Sequence, residues 1–207
     1  KVFLKDLLED FVDIHSHILP GIDDGAKNTS ESIGLIKGLQ TLGVKQFMPT
    51  PHVMQDFYPN TDETIGDAYQ QLLSALDSKI LSEITINPAA EYMLDDNFQK
   101  QLETQELFTL KGNYLLIEMS YFQPPINLEE IIFKIKTKGY FPILAHPERY
   151  SFYHNTKGYY KKLKQIGCFF QLNLLSLSDH YGKNVEKMAS YLIEEQLIDF
   201  VGSDAHN

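Results

Sequence analysis

The sequence predicts an α/β protein built as a parallel β/α barrel, on the basis of three observations. Short apolar runs rich in β-branched and aromatic residues alternate with segments of helical periodicity. The predicted strands end about 30 residues apart, which is the length of one βαβ unit. Metal-ligating side chains follow most strand ends, as they do at the catalytic face of a barrel. A doubly wound sheet has the same alternation and stays open as the alternative.

Each predicted strand is a short apolar run bounded by turn-forming residues. The seven strands are 11–15, 45–50, 83–89, 114–119, 141–145, 168–173 and 198–202. After the first strand, Asn28 is a plausible N-cap with Glu31 three residues on, and helical spacing continues to Gly43. Further helices are predicted over 61–81, 128–138, 157–165 and 184–196. Because no repeat or flexible linker is visible, we expect one domain over residues 1–207.

Composition excludes several classes of protein. The chain has 207 residues, a net charge of −10 and one cysteine. The single Cys168 excludes a disulfide scaffold and fits a reducing compartment such as the cytoplasm. No apolar run approaches the ~20 residues of a membrane-spanning helix, and residues 1–10 carry charges where a signal peptide has its apolar core. The acidic charge argues against nucleic-acid binding, and an anionic substrate would require metal ions to reverse the local charge.

Six of the seven predicted strand ends carry a side chain that binds metals. At the C-terminal face of a barrel these side chains converge, so we expect a metal centre there. The candidates are His15, His17, His52, Glu91, Glu118, His146, Asp204 and His206. Residues two apart on a strand share a face, so the H-x-H and D-x-H pairs can each enter one cavity. For H-x-H alone, two ordinary surface or core imidazoles are the alternative.

The candidate ligands are imidazoles and carboxylates without cysteine. This mixture suits Mn, Fe or Zn better than a purely oxygen-ligated Ca or Mg site. The ligands are too many for one ion, and carboxylates can bridge two ions about 3.5–4 Å apart. Such a pair activates water and stabilises the oxygens of a phosphoryl displacement. The residues alone therefore predict a hydrolase with two or three metal ions.

Seven stretches of the chain together resemble the PHP (polymerase and histidinol phosphatase) superfamily. They are DIHSHILPGIDDGA, TPH, AAEYMLDD, LLIEMSY, ILAHPERY, QLN and GSDAHN. More narrowly, the chain is similar to the bacterial manganese-dependent protein-tyrosine phosphatases of capsule and exopolysaccharide operons. The resemblance implies the PHP fold, a distorted seven-stranded (β/α)7 TIM-like barrel. It also implies three divalent metal ions, with Mn2+ favoured over Fe or Zn.

Carried onto this sequence, the family pattern distributes nine ligands over three ions. The implied sets are His15, His17, Glu91 and Asp204 for the first ion, Glu91, Glu118 and His146 for the second, and Asp24, His52 and His206 for the third. Glu91 is the implied bridge. The residues alone place either Asp23 or Asp24 suitably in a glycine-flanked loop, and we favour a loop-capping role for Asp23.

Arg149 is the only arginine beside 17 lysines, and it follows the proposed ligand His146 in the segment HPER. The resemblance implies that its planar fork of donors grips the substrate phosphate. A surface salt bridge to Glu148 or another acid is the alternative. The implied reaction is in-line attack of a metal-bound hydroxide on phosphorus, with Arg149, Asp204 and His206 as catalytic residues.

Four aromatic residues on loops of the same predicted face are candidates to flank a substrate ring. They are Phe57, Tyr58, Tyr121 and Phe122. Packing within the core or a loop is the more common role of such residues. Asp13 either supports the ligands or is an ordinary buried acid. We expect His154 and His180 at the surface and Cys168 in the core.

The leading functional interpretation is a cytoplasmic, metal-dependent phosphatase of tyrosine-phosphorylated protein. The implied partner is the C-terminal tail of a bacterial tyrosine kinase of polysaccharide synthesis, which would recruit the enzyme to the inner membrane face and link it to capsule production. A small-molecule phosphatase such as histidinol-phosphate phosphatase is the nearest alternative, since fold does not dictate substrate. A non-catalytic, metal-stabilised regulatory module is the second. Family members carry a further arginine beyond the position of His206, so we expect the chain to be clipped at its C-terminus.

Overall fold

The computed structural model describes residues 11–206. The signal-peptide argument concerns residues 1–10 and lies outside the described residues. The chain divides into two compact units, of which the first runs to Ala90 and resumes at Ser203, and the second comprises Glu91–Gly202. Both units combine α-helices with parallel strands. Among the helices of residues 11–206, none has both the length and the apolar character needed to cross a membrane.

The first unit contains a small parallel sheet with helices between its strands. Its strands are β1 (Val12–Asp13), β2 (Gln46–Phe47), β3 (His52–Val53) and β4 (Thr85–Ile86), of which β1, β2 and β4 pair in that order. Its helices are α1 (Thr29–Thr41), α2 (Asp62–Ala75) and α3 (Ser78–Glu83). Helix α1 begins as predicted, because the side chain of Asn28 accepts a hydrogen bond from Glu31 N at 3.1 Å.

One predicted helix of the first unit is interrupted. The sequence pattern over 61–81 predicted a single helix, and this was wrong, because Leu76 has extended backbone (φ −77°, ψ 135°) between α2 and α3. The buried side chain of Leu76 is retained in the core despite the break. The carboxylate of Asp77 then accepts from Ile80 N at 2.8 Å and caps a new helix. Asp77, which lies inside the periodic apolar pattern, is therefore the N-cap of a second helix.

The second unit contains five strands that pair in parallel in chain order. They are β5 (Glu91–Met93), β6 (Tyr114–Glu118), β7 (Phe141–Ala145), β8 (Phe169–Asn173) and β9 (Phe200–Gly202). The helices between them are α4 (Asp96–Thr104), α5 (Leu128–Thr137), α6 (Gly158–Gln165) and α7 (Lys183–Glu194). Strands β6 and β7 are buried along nearly their whole length, as expected of parallel strands covered on both faces.

All seven predicted strands are present, but the structure adds two. Strands β3 and β5 begin at His52 and Glu91, which the sequence pattern had placed just beyond the ends of longer strands. Pro51 and Pro88 separate these short strands from β2 and β4, because proline has no N–H to donate to a ladder. The parallel α/β architecture is confirmed, and closure into a seven-stranded barrel stays a prediction.

The sequence pattern missed helix α4 and placed Cys168 correctly. Helix α4 is capped by Asp95, which accepts from Phe98 N at 2.7 Å, and it buries Phe98 and Leu102 one turn apart. Cys168 is buried in the core, as predicted. Burial raises the pKa of its thiol to about 12, so it stays protonated and unreactive at neutral pH.

Candidate metal centre

In the first unit, the segments 15–17 and 204–206 lie side by side. Ser16 and Ala205 form a parallel bridge, His17 N donates to Ala205 O at 2.9 Å, and Asp204 N donates to His15 O at 2.7 Å. These backbone bonds place the predicted H-x-H segment alongside the D-x-H segment. The pairing of residues this distant in sequence has no local signal in either segment.

Three side chains of these segments converge on one point. His15 Nε2 lies 3.2 Å from His17 Nε2, and Asp204 Oδ1 lies 3.4 Å from each of these two nitrogens. All three residues are buried. Two ligand atoms that each lie about 2.1 Å from one ion are separated from each other by about 3.0 Å in octahedral geometry and about 3.4 Å in tetrahedral geometry. The three donor atoms therefore have the spacing of a metal coordination sphere.

A second group of donors lies in the same unit. Asp24 Oδ1 is 3.4 Å from His52 Nε2 and 3.5 Å from His206 Nε2. Within the part of the chain described, His17 joins this group, since its donor atom lies within 4.8 Å of the others. Hydrogen bonds to His206 and His52 hold the pKa of the Asp24 carboxyl well below its usual range. Asp24 is therefore ionised, as a carboxylate ligand must be.

Asp23 orients one of the candidate ligands. Its Oδ1 accepts from Gly25 N at 3.0 Å, which is the predicted loop-capping role. Its Oδ2 lies 2.7 Å from His17 Nδ1 and also accepts from His52 N at 3.2 Å. Because this carboxylate is an acceptor, the His17 proton resides on Nδ1 and the Nε2 lone pair faces the other ligands. His206 Nδ1 donates to Asp204 O at 2.9 Å, and this bond directs its Nε2 toward Asp24.

Gly25 and Asn60 support the loop that carries Asp24. A Cβ at Gly25 would lie 2.1 Å from His17 O and 2.4 Å from His17 Cβ, so only glycine fits against this ligand. The side-chain amide of Asn60 donates to Ile22 O and to His52 O, each at 2.8 Å. Asn60 thus connects the Asp24 loop to the segment that carries His52.

Asp13 supports the D-x-H segment. This fully buried carboxylate accepts from Ser203 N at 2.8 Å and from Ser203 Oγ at 2.6 Å. Burial raises the pKa of Asp13, and the two bonds from Ser203 oppose that effect. Ser203 directly precedes Asp204, so Asp13 is both a buried acid and a support for the ligands, which unites the two predicted alternatives.

The second unit brings Glu91 and His146 together and places Glu118 on the same face as Glu91. Glu91 on β5 pairs with Leu116 on β6, and Glu118 lies two residues further along β6 on that face. His146 directly follows β7, and its Nε2 lies 3.2 Å from Glu91 Oε1. The exposed fractions of Glu91, Glu118 and His146 are 0%, 2% and 1%. Two carboxylates and an imidazole at such depth suit a cation, because buried charges are otherwise costly.

Two of the candidate ligands have strained backbone. His146 has φ +33° and Asp204 has φ +51°, in the left-handed region that non-glycine residues rarely adopt. Such strain persists only where the surrounding structure enforces it, and it concentrates at functional sites. His146 and Asp204 share this backbone region with Asn113 and Gln196, which lie outside the candidate ligands.

Arg149 is held by aromatic rings and lies beside a buried carboxylate. Its guanidinium carbon lies 4.4 Å from the ring centre of Tyr181 and 5.0 Å from that of Tyr121. The adjacent Glu148 is fully buried, and it accepts from Ser176 Oγ at 2.6 Å and from Asn173 N at 3.0 Å. Burial raises the pKa of Glu148 to about 7. Arg149 thus lies beside two aromatic rings and a buried acid, and its role in phosphate binding stays a prediction.

The four aromatic candidates separate into two pairs. Tyr58 stacks on His52 with ring centres 5.6 Å apart, and Tyr121 stacks on His146 at 5.9 Å. Phe57 and Phe122 are 73% and 93% exposed. The tyrosines thus contact candidate ligands, and the phenylalanines extend into solvent.

Of the two remaining histidines, one lies as predicted. His180 is exposed, as expected. His154 is half-buried, and its Nε2 donates to Glu148 O at 2.8 Å, so its prediction as a plain surface residue was wrong. Its ring helps to hold the turn that carries Arg149.

Several supporting residues have no clear sequence signal. Asn60, Ser203, Asn173 and Tyr181 each make a contact with a residue distant in the chain. Asn173 lies in the QLN stretch that carries part of the family resemblance. For Asn60, its position directly before the capping residue Thr61 suggested only a helix start.

Asp23→Asn is expected to weaken Mn2+ binding about 10- to 100-fold. An amide accepts on one oxygen only, and its NH2 group would face one of the donors that the carboxylate now satisfies. The affinity is measured by titrating the metal-free protein with Mn2+. Asp77→Asn is the matched control, since Asp77 also caps a backbone N–H but lies away from the ligands. Equal affinities of the two variants would disprove the orienting role of Asp23.

Comparison with known proteins confirms the resemblance inferred from the motifs. The family model "Capsular polysaccharide synthesis, CpsB/CapC" matches residues 11–207. The tyrosine-protein phosphatase YwqE of Bacillus subtilis is 32% identical, over 95% of this chain and 77% of its own length. The tyrosine-protein phosphatase CpsB of Streptococcus pneumoniae is 30% identical, over 95% of this chain and 83% of its own.

A solved structure gives the same result for the fold. It comes from crystallographic work on YwqE from Bacillus subtilis and CpsB from Streptococcus pneumoniae, named there as unique metal-dependent tyrosine phosphatases. It superposes with a TM-score of 0.87 and 31% identity, covering 95% of this chain and 80% of the other. The fold, the motifs and the family match agree, and the chain belongs to the CpsB/CapC family of capsular polysaccharide synthesis.

Proposed function

We propose that the protein is a metal-dependent phosphatase of tyrosine-phosphorylated proteins. The single observation that supports this most strongly is the convergence of His15, His17 and Asp204, whose donor atoms have the mutual distances of metal ligands. The names of the relatives, tyrosine-protein phosphatases, support the reaction class. A phosphatase of this kind needs no cysteine nucleophile, and Cys168 is a buried neutral thiol.

Nine residues are proposed to hold the metal ions. The first unit supplies His15, His17, Asp24, His52, Asp204 and His206, and the second supplies Glu91, Glu118 and His146. Their nitrogen and oxygen donors suit Mn2+, and Fe or Zn also fit. Three ions, with Glu91 as a bridge, are implied by the family resemblance, as are the closed seven-stranded barrel and the single domain. When bound, the ions would activate a water for attack on phosphorus and neutralise phosphoryl oxygens.

The protein's own residues would bind and orient the substrate. Asp204 and His206 hold their positions through the backbone pairing of their segment with His15 and His17. Arg149 would donate hydrogen bonds to the phosphate oxygens, for which its planar fork is suited. A tyrosine leaving group has a pKa of about 10 and needs little help from an acid, so we assign no general acid.

The substrate side of the proposal rests on aromatic and exposed residues. Tyr58 and Tyr121 stack on ligand imidazoles and offer ring faces to a phosphotyrosine side chain. The exposed Phe57 and Phe122 would contact flanking peptide. We propose as partner the C-terminal tyrosine cluster of a cytoplasmic-facing kinase of capsule synthesis, and the cytoplasm as the place of action.

A substrate comparison tests this function. Purified protein with Mn2+ is given a phosphotyrosine peptide or histidinol phosphate, and phosphate release is measured for wild type and for Asp204→Ala/His206→Ala. We expect preference for the peptide and loss of turnover in the double variant. Preference for histidinol phosphate would transfer the assignment to the small-molecule phosphatases. Equal turnover by wild type and double variant would disprove the site.

A further inference from the structure

Arg149 is the only arginine of the chain, and it contacts two tyrosine rings. The ring of Tyr181 is the nearer, with its centre 4.4 Å from the guanidinium carbon, and that of Tyr121 lies at 5.0 Å. A cation over an aromatic ring is attracted through its charge, and this attraction uses none of its N–H donors. The rings can therefore fix the guanidinium without competing for the hydrogen bonds that an oxyanion needs.

Tyr181 is itself tied to the turn that carries Arg149. Its hydroxyl accepts from Asn173 Nδ2 at 3.3 Å, and Asn173 N donates to Glu148 Oε1 at 3.0 Å. Glu148 precedes Arg149 in the 3-10 turn Pro147–Arg149. A closed series of contacts, here called the circuit, therefore runs from Glu148 to Asn173 at the end of β8, from Asn173 to Tyr181, and from the Tyr181 ring back to Arg149.

The circuit is buried at its base and fixed at several points. Glu148 is fully buried and also accepts from Ser176 Oγ at 2.6 Å. The side-chain oxygen of Asn173 accepts from Leu175 N at 3.0 Å. Only Arg149 and Tyr181, at its outer end, are half-buried. A buried, hydrogen-bonded base that carries a half-buried arginine is the arrangement expected for an arginine preorganised to receive an anion.

We propose that Tyr181 is a positioning residue for Arg149, which holds the guanidinium in the orientation that receives the substrate phosphate. This inference rests on the proposed function, in which Arg149 binds that phosphate. Tyr181 acts through the face of its ring, and its hydroxyl serves to anchor the ring on Asn173. Tyr121 contributes a second and more distant contact.

Chemical modification of the single arginine tests the positioning directly. Phenylglyoxal reacts with guanidinium groups, and peptide mapping by mass spectrometry reads the rate at Arg149 alone. In the Mn2+-loaded protein, Tyr181→Leu is expected to raise this rate at least about 3-fold, because the attraction to the ring is lost. Tyr181→Phe keeps the ring but loses the hydrogen bond from Asn173, so its modification rate should lie between those of wild type and Tyr181→Leu.

Tyr191 provides a matched control. Lys157 Nζ lies 4.4 Å from the centre of its ring, the same distance as between Arg149 and Tyr181, and Tyr191 is also half-buried. Tyr191→Leu removes a ring and a cation contact from helix α7, and the cation over this ring is Lys157 and not Arg149. We expect wild-type modification and wild-type turnover from this variant.

Kinetics with the phosphotyrosine peptide test the consequence for function. Tyr181→Leu is expected to lower kcat/KM about 5- to 20-fold, and to weaken inhibition by inorganic phosphate in parallel. In an Arg149→Ala background the same substitution should have little further effect, since its target is gone. Equal losses in both backgrounds would show a merely structural role and overturn the proposal.

The outcomes separate this inference from the proposed function. Wild-type protein that releases no phosphate with Mn2+ contradicts the function, and the modification rates then decide alone whether Tyr181 holds the guanidinium. Active wild type with wild-type modification of Arg149 in Tyr181→Leu overturns the inference and leaves the function intact. Faster modification of Arg149 in Tyr181→Leu, together with a loss of kcat/KM that disappears in the Arg149→Ala background, supports both the inference and the proposed function.

Discussion

Asp204→Asn is expected to lower Mn2+-dependent phosphate release about 10³-fold, equivalent to about 4 kcal/mol of activation free energy. Asp204 Oδ1 lies 3.4 Å from the Nε2 atoms of both His15 and His17, so it completes the group of three donors. Asparagine has the same shape and tolerates the left-handed backbone of this position (φ +51°), and the substitution therefore removes only the charge.

The measurement combines steady-state turnover with metal content after dialysis. Asp67→Asn is the control, since Asp67 is an exposed acid on helix α2 and the same charge is lost. We expect the control to retain wild-type values of both quantities. Turnover of Asp204→Asn within a few-fold of wild type, at equal metal content, would show that Asp204 is not a ligand.

Gly25→Ala is expected to destabilise the protein by about 2–3 kcal/mol and to weaken metal binding. The added Cβ would meet His17 O at 2.1 Å and His17 Cβ at 2.4 Å. Neither atom can yield without moving the backbone, and His17 is both a candidate ligand and a partner of Asp23. The same steric clash with His17 therefore lowers the free energy of unfolding and disturbs the candidate metal site.

Gly34→Ala is the matched control for this prediction. Gly34 lies in helix α1 with nothing within 4 Å of the added Cβ, so alanine should stabilise by about 0.5–1 kcal/mol. Chemical unfolding with and without Mn2+ gives both free energies. A Gly25→Ala variant as stable as wild type, with unchanged Mn2+ affinity, would contradict the close approach.

The sequence predicts the site better than it predicts the connections that support it. The H-x-H and D-x-H spacings and the strand-end positions of Glu118 and His146 follow from periodicity, because residue type and strand face are local properties. The hydrogen bond from Asn60 to Ile22 O joins residues 38 positions apart, so no short window of sequence contains it.

The errors in the fold also have local physical causes. The helix predicted over 61–81 has a continuous apolar pattern, but Asp77 offers a cap that stabilises a new start, and its neighbour Leu76 becomes extended. Helix α4 is short and mostly polar. Its two buried residues, Phe98 and Leu102, are too few to give a helical periodicity of apolar residues from which the helix could be predicted. Propensity decides such cases only weakly, and tertiary packing overrides it.

The supporting residues hold the candidate ligands in place in the absence of a metal ion. Asp13 holds Ser203, and the backbone of the same segment pairs with His15 and His17. Asp23 sets the proton of His17 on Nδ1. A preorganised set of donors loses less conformational entropy on binding, which favours high metal affinity.

The central claim is that hydrolysis depends on metal held by these residues, and one titration tests it. The protein is freed of metal with a chelator, the chelator is removed, and phosphate release from a phosphotyrosine peptide is followed as Mn2+ is added back. We predict no measurable turnover in the metal-free protein and a saturable return of activity with Mn2+. Metal-free protein that hydrolyses the peptide as fast as the reloaded protein would contradict the account.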